Sequence, residues 1–232
     1  MHRIAALTLG LALAVLTLAA IGWAVPPQRE VTLKELIPLN AWEKQFKITE
    51  GKDRGKLVPL VMHHVQNQDR SKLIFGDYGG IVMVKDSRGG LAMERLDLFK
   101  SNSYIVYEPA LPILPPELAL ASATVYQADF KMYDARTGKL KRSGQATHQV
   151  KQVSHSRFKT PAGIIDGYYI DLDHVMDMTF ATLHVALGLG CRLDDGPVYG
   201  TGQYTLTKLG IFRETKTVAA GLTKELTRSI LH

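Results

Sequence analysis

The chain has 232 residues, a formal net charge of +6, 46% hydrophobic residues and 22% charged ones. Twenty glycines, ten prolines and one cysteine exclude collagen-like, disordered and disulfide-scaffold classes and leave apolar material for one or two packed domains. One thiol closes no disulfide within the chain, so Cys191 reads as a small buried hydrophobe, the commoner fate, or as an exposed thiol able to bridge only to another molecule.

Arg3 precedes the apolar run Ile4 to Ile21, and Gly22-Trp23-Ala24 places small residues on both sides of Trp23. This is the layout of a secretory signal cut after Ala24, with residues 1–24 removed on export. An uncleaved anchor is the competing reading, because the run approaches the roughly 20 residues that span a bilayer. Location is therefore expected to be periplasmic or secreted, with membrane association only if the N-terminal segment is kept. Lysines and arginines alternate with acids along the chain, so no phosphate-tracking stripe forms and no nucleic-acid partner is expected.

Residues 25–72 read as an N-terminal adapter. Thr32-Leu33-Lys34-Glu35 has the spacing of a capping box that starts a short helix ended by Pro38. Trp42 and Phe46, four apart, fit one face of a second helical piece. Residues 73–221 carry the punctuation of antiparallel strands. Asp86-Ser87-Arg88-Gly89-Gly90 and Ala135-Arg136-Thr137-Gly138-Lys139 are hairpin loops with glycine available for positive φ. Leu91 to Phe99 alternates imperfectly, predicting a bulge or a short helical turn, and the prolines of Pro109–Pro116 predict a stiff connector outside any central strand.

Thr124 to Tyr133 alternates most cleanly, with Tyr126, Ala128, Phe130 and Met132 on one face and Gln127, Asp129 and Lys131 on the other. Leu140 to Phe158 is long and polar, the pattern of an edge strand or of a largely solvated sheet. Ile164 to Asp173 puts Ile164, Tyr168, Ile170 and Leu172 on one face, Met176 to Leu187 reads as extended, and Gly188 to Pro197 reads as a flexible loop. Leu222, Leu226 and Ile230 recur at four-residue spacing, predicting a C-terminal helix over residues 222–232. The fold class is mainly β: one antiparallel curved sheet or partial barrel with short flanking helices.

From Tyr107 to Gly200 the chain resembles the TapB-like group of small exported β-sheet proteins. The likeness rests on Tyr107-Glu108-Pro109-Ala110-Leu111-Pro112, on Thr160-Pro161-Ala162-Gly163, on Ile164-Ile165-Asp166-Gly167-Tyr168-Tyr169-Ile170 and on Gly188-Leu189-Gly190. The resemblance implies a curved sheet whose concave face can hold an acyl chain.

Three functional readings follow. The first is an exported, non-enzymatic envelope protein that binds a lipid-like or protein partner through its sheet, with Tyr126, Phe130, Met132, Tyr168, Ile170 and Phe180 as ligand-contacting residues. The second is a metal-dependent hydrolase using Asp171, Asp173 and His174, since Asp171 and Asp173 share a strand face and His174 follows directly. The third is a purely structural envelope component. No Gly-x-Ser-x-Gly elbow and no phosphate-cradling loop is present, and the sequence implies no cofactor.

Overall fold

A computed structural model describes residues 31–65, 69–118 and 123–223. The predicted signal segment and all but the first two residues of the predicted C-terminal helix lie outside the described residues. Of that helix, Leu222 is instead the last residue of a strand.

In chain order the elements are β1 (Val31–Thr32), α1 (Leu33–Leu36), β2 (Trp42–Glu50), β3 (Leu57–Val65), β4 (Arg70–Phe75), β5 (Gly79–Lys85) and β6 (Leu91–Leu98). A single 3-10 turn, Phe99–Ser101, leads to β7 (Ser103–Leu114), β8 (Glu117–Leu118), β9 (Thr124–Asp134) and β10 (Leu140–Thr160). The chain then continues through β11 (Gly163–Met178), β12 (Ala181–Arg192), β13 (Gly196–Lys208) and β14 (Phe212–Leu222).

Twelve of these strands form a closed antiparallel barrel that follows the sequence, β2 through β7 and then β9 through β14. It closes where β14 pairs with β2, from Ala219↔Glu50 to Leu222↔Phe46. The expected partial barrel is thus complete, and among the described residues the expected flanking helices reduce to α1 and the 3-10 turn. Closure depends on strands about 170 residues apart meeting, which no local pattern encodes.

Residues placed in an adapter by sequence are part of the wall. Trp42 and Phe46 lie on β2, where alternation turns Trp42, Lys44, Phe46 and Ile48 inward. A spacing of four satisfies both a helical and a strand period, and here pairing with β3 and β14 decides for the strand. The polar strand β10 is central, laddered to β9 on one side and β11 on the other, so its polarity marks the solvated outer face. The proline-rich stretch continues β7 and pairs with β6 through Leu111, Pro112 and Leu114. It does so beyond Glu108, where pairing with β9 stops and a missing N–H breaks no ladder on that side. The imperfect alternation of Leu91–Phe99 corresponds to two register shifts in β6.

The barrel has an apolar interior and a polar exterior. On β9, Tyr126, Ala128 and Phe130 are buried while Val125, Gln127, Asp129 and Lys131 are exposed. Ile105, Tyr107, Phe130, Ile170 and Met176 meet in the centre. This is the reverse of a lipid-spanning barrel, whose outer face carries the apolar band. Among the described residues no helix is long and apolar enough to cross a membrane.

One end of the barrel is plugged. β1 pairs with β8, and α1 sends Leu33 and Leu36 inward with Ile37 behind them. The loops at this end join β3 to β4, β5 to β6, β7 to β9 by way of β8, β10 to β11 and β12 to β13. The other six connections form the opposite rim.

Candidate functional site

The plug is held by contacts that the sequence spells out only in part. At α1 the capping box forms, with the Thr32 amide and hydroxyl both donating to Glu35 Oε2 at 2.9 Å. The Leu33 amide donates to the Pro116 carbonyl at 3.0 Å, and the Asp194 amide to the Glu35 carbonyl at 2.7 Å. Trp42 Nε1 donates to the Pro38 carbonyl at 2.8 Å.

Beneath them Lys44, 2% exposed, places its ammonium 3.2 Å from Asp195 Oδ2 and donates to the carbonyls of Asp195 and Pro197. Arg192 approaches the same carboxylate oxygen at 2.5 Å. Burial lowers the Lys44 pKa, and Asp195 opposes that shift. A buried charge of this kind is retained because its partner and two carbonyls replace water. It ties the β12–β13 hairpin to the inner face of β2 and so fixes the plug.

Between the plug and the ends of β3, β4, β5 and β6 runs a groove of about 720 Å3. Its walls include Leu33, Ile37, Leu39, Met83 and Leu91. At its margin stand Lys34, Lys85, His64 and Asp69. Neither lysine has an ion-pair partner among the described residues. The volume falls within the range of small-molecule sites, about 300–1,000 Å3. An apolar trough bordered by two free ammonium groups suits a ligand with a hydrocarbon part and an anionic head. The groove assembles from segments some 80 residues apart, and the only local signal for it is the capping box that starts α1.

The residues singled out by sequence fall elsewhere. Tyr126, Phe130 and Ile170 are buried in the barrel core, with Met132 and Tyr168 packed against it. Phe180 is 68% exposed, because Thr179 and Phe180 form the turn between β11 and β12. The six therefore do not converge on one surface.

Nor do Asp171, Asp173 and His174. Strand alternation turns the two carboxylates outward and His174 inward, and the described residues contain no cluster of three or more His, Cys, Asp or Glu side chains able to hold a metal. Outside, Asp173 accepts from His184 Nε2 at 2.5 Å and pairs with Lys151 at 3.3 Å. Inside, the Tyr107 hydroxyl lies 3.3 Å from His174 Nε2, and His148 Nε2 donates to the Ile113 carbonyl at 3.0 Å. Burial lowers both histidines to about 4 and raises the fully buried Cys191 thiol to about 12, so all three are neutral. Gly188-Leu189-Gly190 is strand rather than loop. The outer-face rings of Tyr169 and Phe158 lie across Gly188 and Gly190, in space a side chain there would fill.

No protein-family model matches the chain, and no curated protein sequence matches it. Among solved structures, the hypothetical lipoprotein YmcC from Escherichia coli is similar over 84% of this chain and 90% of that one, at 8% identity and a TM-score of 0.38. A likeness at that level bears on neither function nor location, and none of these comparisons supports the TapB-like resemblance.

Proposed function

We propose that this chain is an exported, non-enzymatic binding protein of the cell envelope that seats an anionic amphiphile in the groove beside its plug. The export part of this reading rests on the charged, apolar and small-residue order of residues 1–24. The binding part rests on one observation, the apolar trough of about 720 Å3 with Lys34 and Lys85 at its edge. The hydrocarbon lies along Leu33, Ile37 and Met83, and the head meets the lysines. His64 and Asp69 tune the polar margin.

The test is saturable binding of palmitate, set against its uncharged methyl ester, to full-length protein recovered after export. Palmitate is expected to bind, with the ester weaker. Lys34→Glu together with Lys85→Glu is expected to weaken palmitate roughly tenfold, equivalent to about 1.4 kcal/mol, with little effect on the ester. Leu39→Arg, in the partly exposed wall, is expected to weaken both. A chain that carries no amphiphile in native mass spectrometry and binds neither probe ends the proposal and leaves a purely structural role.

A further inference from the structure

Ten large apolar side chains are exposed among the described residues, and seven of them lie at the rim opposite the plug: Leu57, Phe99, Leu140, Phe180, Leu209, Ile211 and Phe212. Each sits in a connection or is the first residue of the strand after it. The most prominent belong to two neighbouring tips, Phe180 in the β11–β12 turn and Leu209, Ile211 and Phe212 at the β13–β14 turn, exposed by 64–80%. The Leu209 amide donates to the Phe180 carbonyl at 2.9 Å and locks the tips together. A notch of about 240 Å3 opens between them, lined by Met178, Phe180 and Leu209.

The backbone at Leu209 shows that this apolar display is not a by-product of making a turn. Among the described residues three non-glycine residues have positive φ, namely Asn102, Asp194 and Leu209. Asparagine and aspartate are suited to that region, whereas leucine is not. A turn chosen for its own stability would carry asparagine or glycine at 209. The leucine is tolerated at the cost of strain and holds its side chain in solvent.

Charge follows the same axis. The six rim connections contain Lys52, Arg54, Lys56, Lys100, Arg136 and Lys139 against Asp53 and Asp77. Lys208 and Arg213 flank the apolar tip. Lys52, Arg54, Arg136, Lys139, Lys208 and Arg213 are all exposed and have no ion-pair partner among the described residues. The described hairpin loops at the plugged end instead hold Asp69, Asp86, Asp194 and Asp195 against Arg88, and the cations beside them include Lys34 and Lys85 at the groove and Arg192, which is paired with Asp195. Apolar residues at separate protruding tips, set in a ring of uncompensated cations, do not form the concave pocket that captures a peptide. They match a flat surface that is apolar within and anionic at its boundary.

We infer that the rim docks on the face of an anionic bilayer, with Phe180, Leu209, Ile211 and Phe212 entering the headgroup boundary and the surrounding lysines and arginines meeting lipid phosphates. The groove beside the plug then points away from that surface. The inference is independent of what the groove binds.

Sedimentation of the exported full-length protein with vesicles tests it. Binding is expected with phosphatidylcholine–phosphatidylglycerol vesicles and should be weak with phosphatidylcholine alone, falling as salt rises. Ile211→Asp with Phe212→Asp is expected to reduce binding roughly tenfold or more, and Phe180→Ser alone to a lesser extent. Arg136→Glu with Lys139→Glu should reduce binding to the anionic vesicles only. Ile164→Asp, which alters an equally exposed side chain at the plugged end, should leave binding unchanged, as should Lys34→Glu at the groove. Circular dichroism of each variant establishes that the barrel is intact, and if the Ile211 and Phe212 pair fails to fold, the Phe180 variant decides. The inference is overturned if wild-type protein stays in the supernatant, if the tip variants sediment as wild type does, if Lys34→Glu abolishes sedimentation, or if the tips prove to join two copies of the chain in solution.

Discussion

His148 and His174 are register partners on β10 and β11, and their rings face each other inside the barrel with centroids 5.8 Å apart. Both Nδ1 atoms are buried without a hydrogen-bond partner in the structure. Two imidazoles this close and this deeply buried cannot both carry charge. Burial is the main cause of the drop to about 4 in each, and for His174 the proximity of His148 adds to it.

Stability is therefore expected to depend on pH in a definite direction. In the unfolded chain the histidines titrate near 6.5, so below that pH the unfolded state binds more protons than the folded state. Stability is full above about pH 6.5 and falls as pH drops toward 4, by up to about 1.4 kcal/mol per pH unit for each histidine. Urea unfolding across this range should show the decline. His148→Gln combined with His174→Leu should flatten it, whatever the variant costs at neutral pH. An unchanged slope would mean that the core histidines are already protonated or hydrated.

The Lys44–Asp195 pair is predicted to be asymmetric in its mutational cost. Asp195→Asn leaves the ammonium buried with only the Asp195 and Pro197 carbonyls, and is expected to cost about 2–3 kcal/mol at pH 7. Lys44→Met leaves Asp195 paired with Arg192 in a partly exposed hairpin and should cost about 1 kcal/mol or less. In Asp195→Asn the Lys44 pKa should fall further, so the unfolded state binds the extra proton and stability should recover as pH rises toward the lysine's ordinary value. Chemical denaturation of both variants at neutral and alkaline pH separates these outcomes. Equal costs would show that the hairpin, not the charge pair, holds the plug.

Much of the β pattern is legible in the sequence because alternation and turns are local. Thr124 to Tyr133 reads directly as β9, and the glycine-bearing loops at Gly89 and Gly138 mark real hairpins with φ of +87° and +66°. Other stretches mislead for physical reasons. Trp42 and Phe46 fit two periods at once. Thr179 and Phe180 turn the chain without glycine or proline, so two strands read as one run. Gly188 and Gly190 look like loop residues because their reason for being glycine, the rings packed over them, comes from β10 and β11. The groove was invisible because its walls come from four separate segments. The rim was visible only residue by residue, since nothing local says that Leu57 and Phe212 share an end.

The strand glycines differ in what they would tolerate, and the order is predictable. A Cβ at Gly144 or Gly167 would overlap a backbone carbonyl oxygen, of Asp177 and Cys191 respectively, which cannot move without parting the sheet. Alanine at either is expected to cost about 2–3 kcal/mol. At Gly190 the Cβ would come 2.8 Å from the Phe158 ring, which is buried and stacked on Tyr199, for an expected cost of about 1–2 kcal/mol. At Gly188 the obstacle is mainly the Tyr169 hydroxyl, the far end of a partly exposed side chain, and the cost should stay below about 1 kcal/mol. Thermal or urea melts of the four alanine variants give the ranking. A costly Gly188 variant would show that Tyr169 is held in place.

Leu209 yields a prediction with opposite signs in two measurements. Its φ of +52° is unfavourable for a leucine, and its side chain is 64% exposed, so the folded barrel gains little from burying it. Leu209→Asn relieves the backbone and removes no core contact, and is expected to stabilise the chain by about 0.5–1 kcal/mol. The same change deletes an apolar contact from the tip and should weaken sedimentation with anionic vesicles severalfold. A gain in stability with a loss of binding is the pattern of a residue kept for its surface rather than its fold. If Leu209→Asn destabilises the barrel, the leucine packs against its neighbours more than its exposure implies, and the strain argument for the rim fails. If it stabilises without touching vesicle binding, the tip displays its leucine for some other contact.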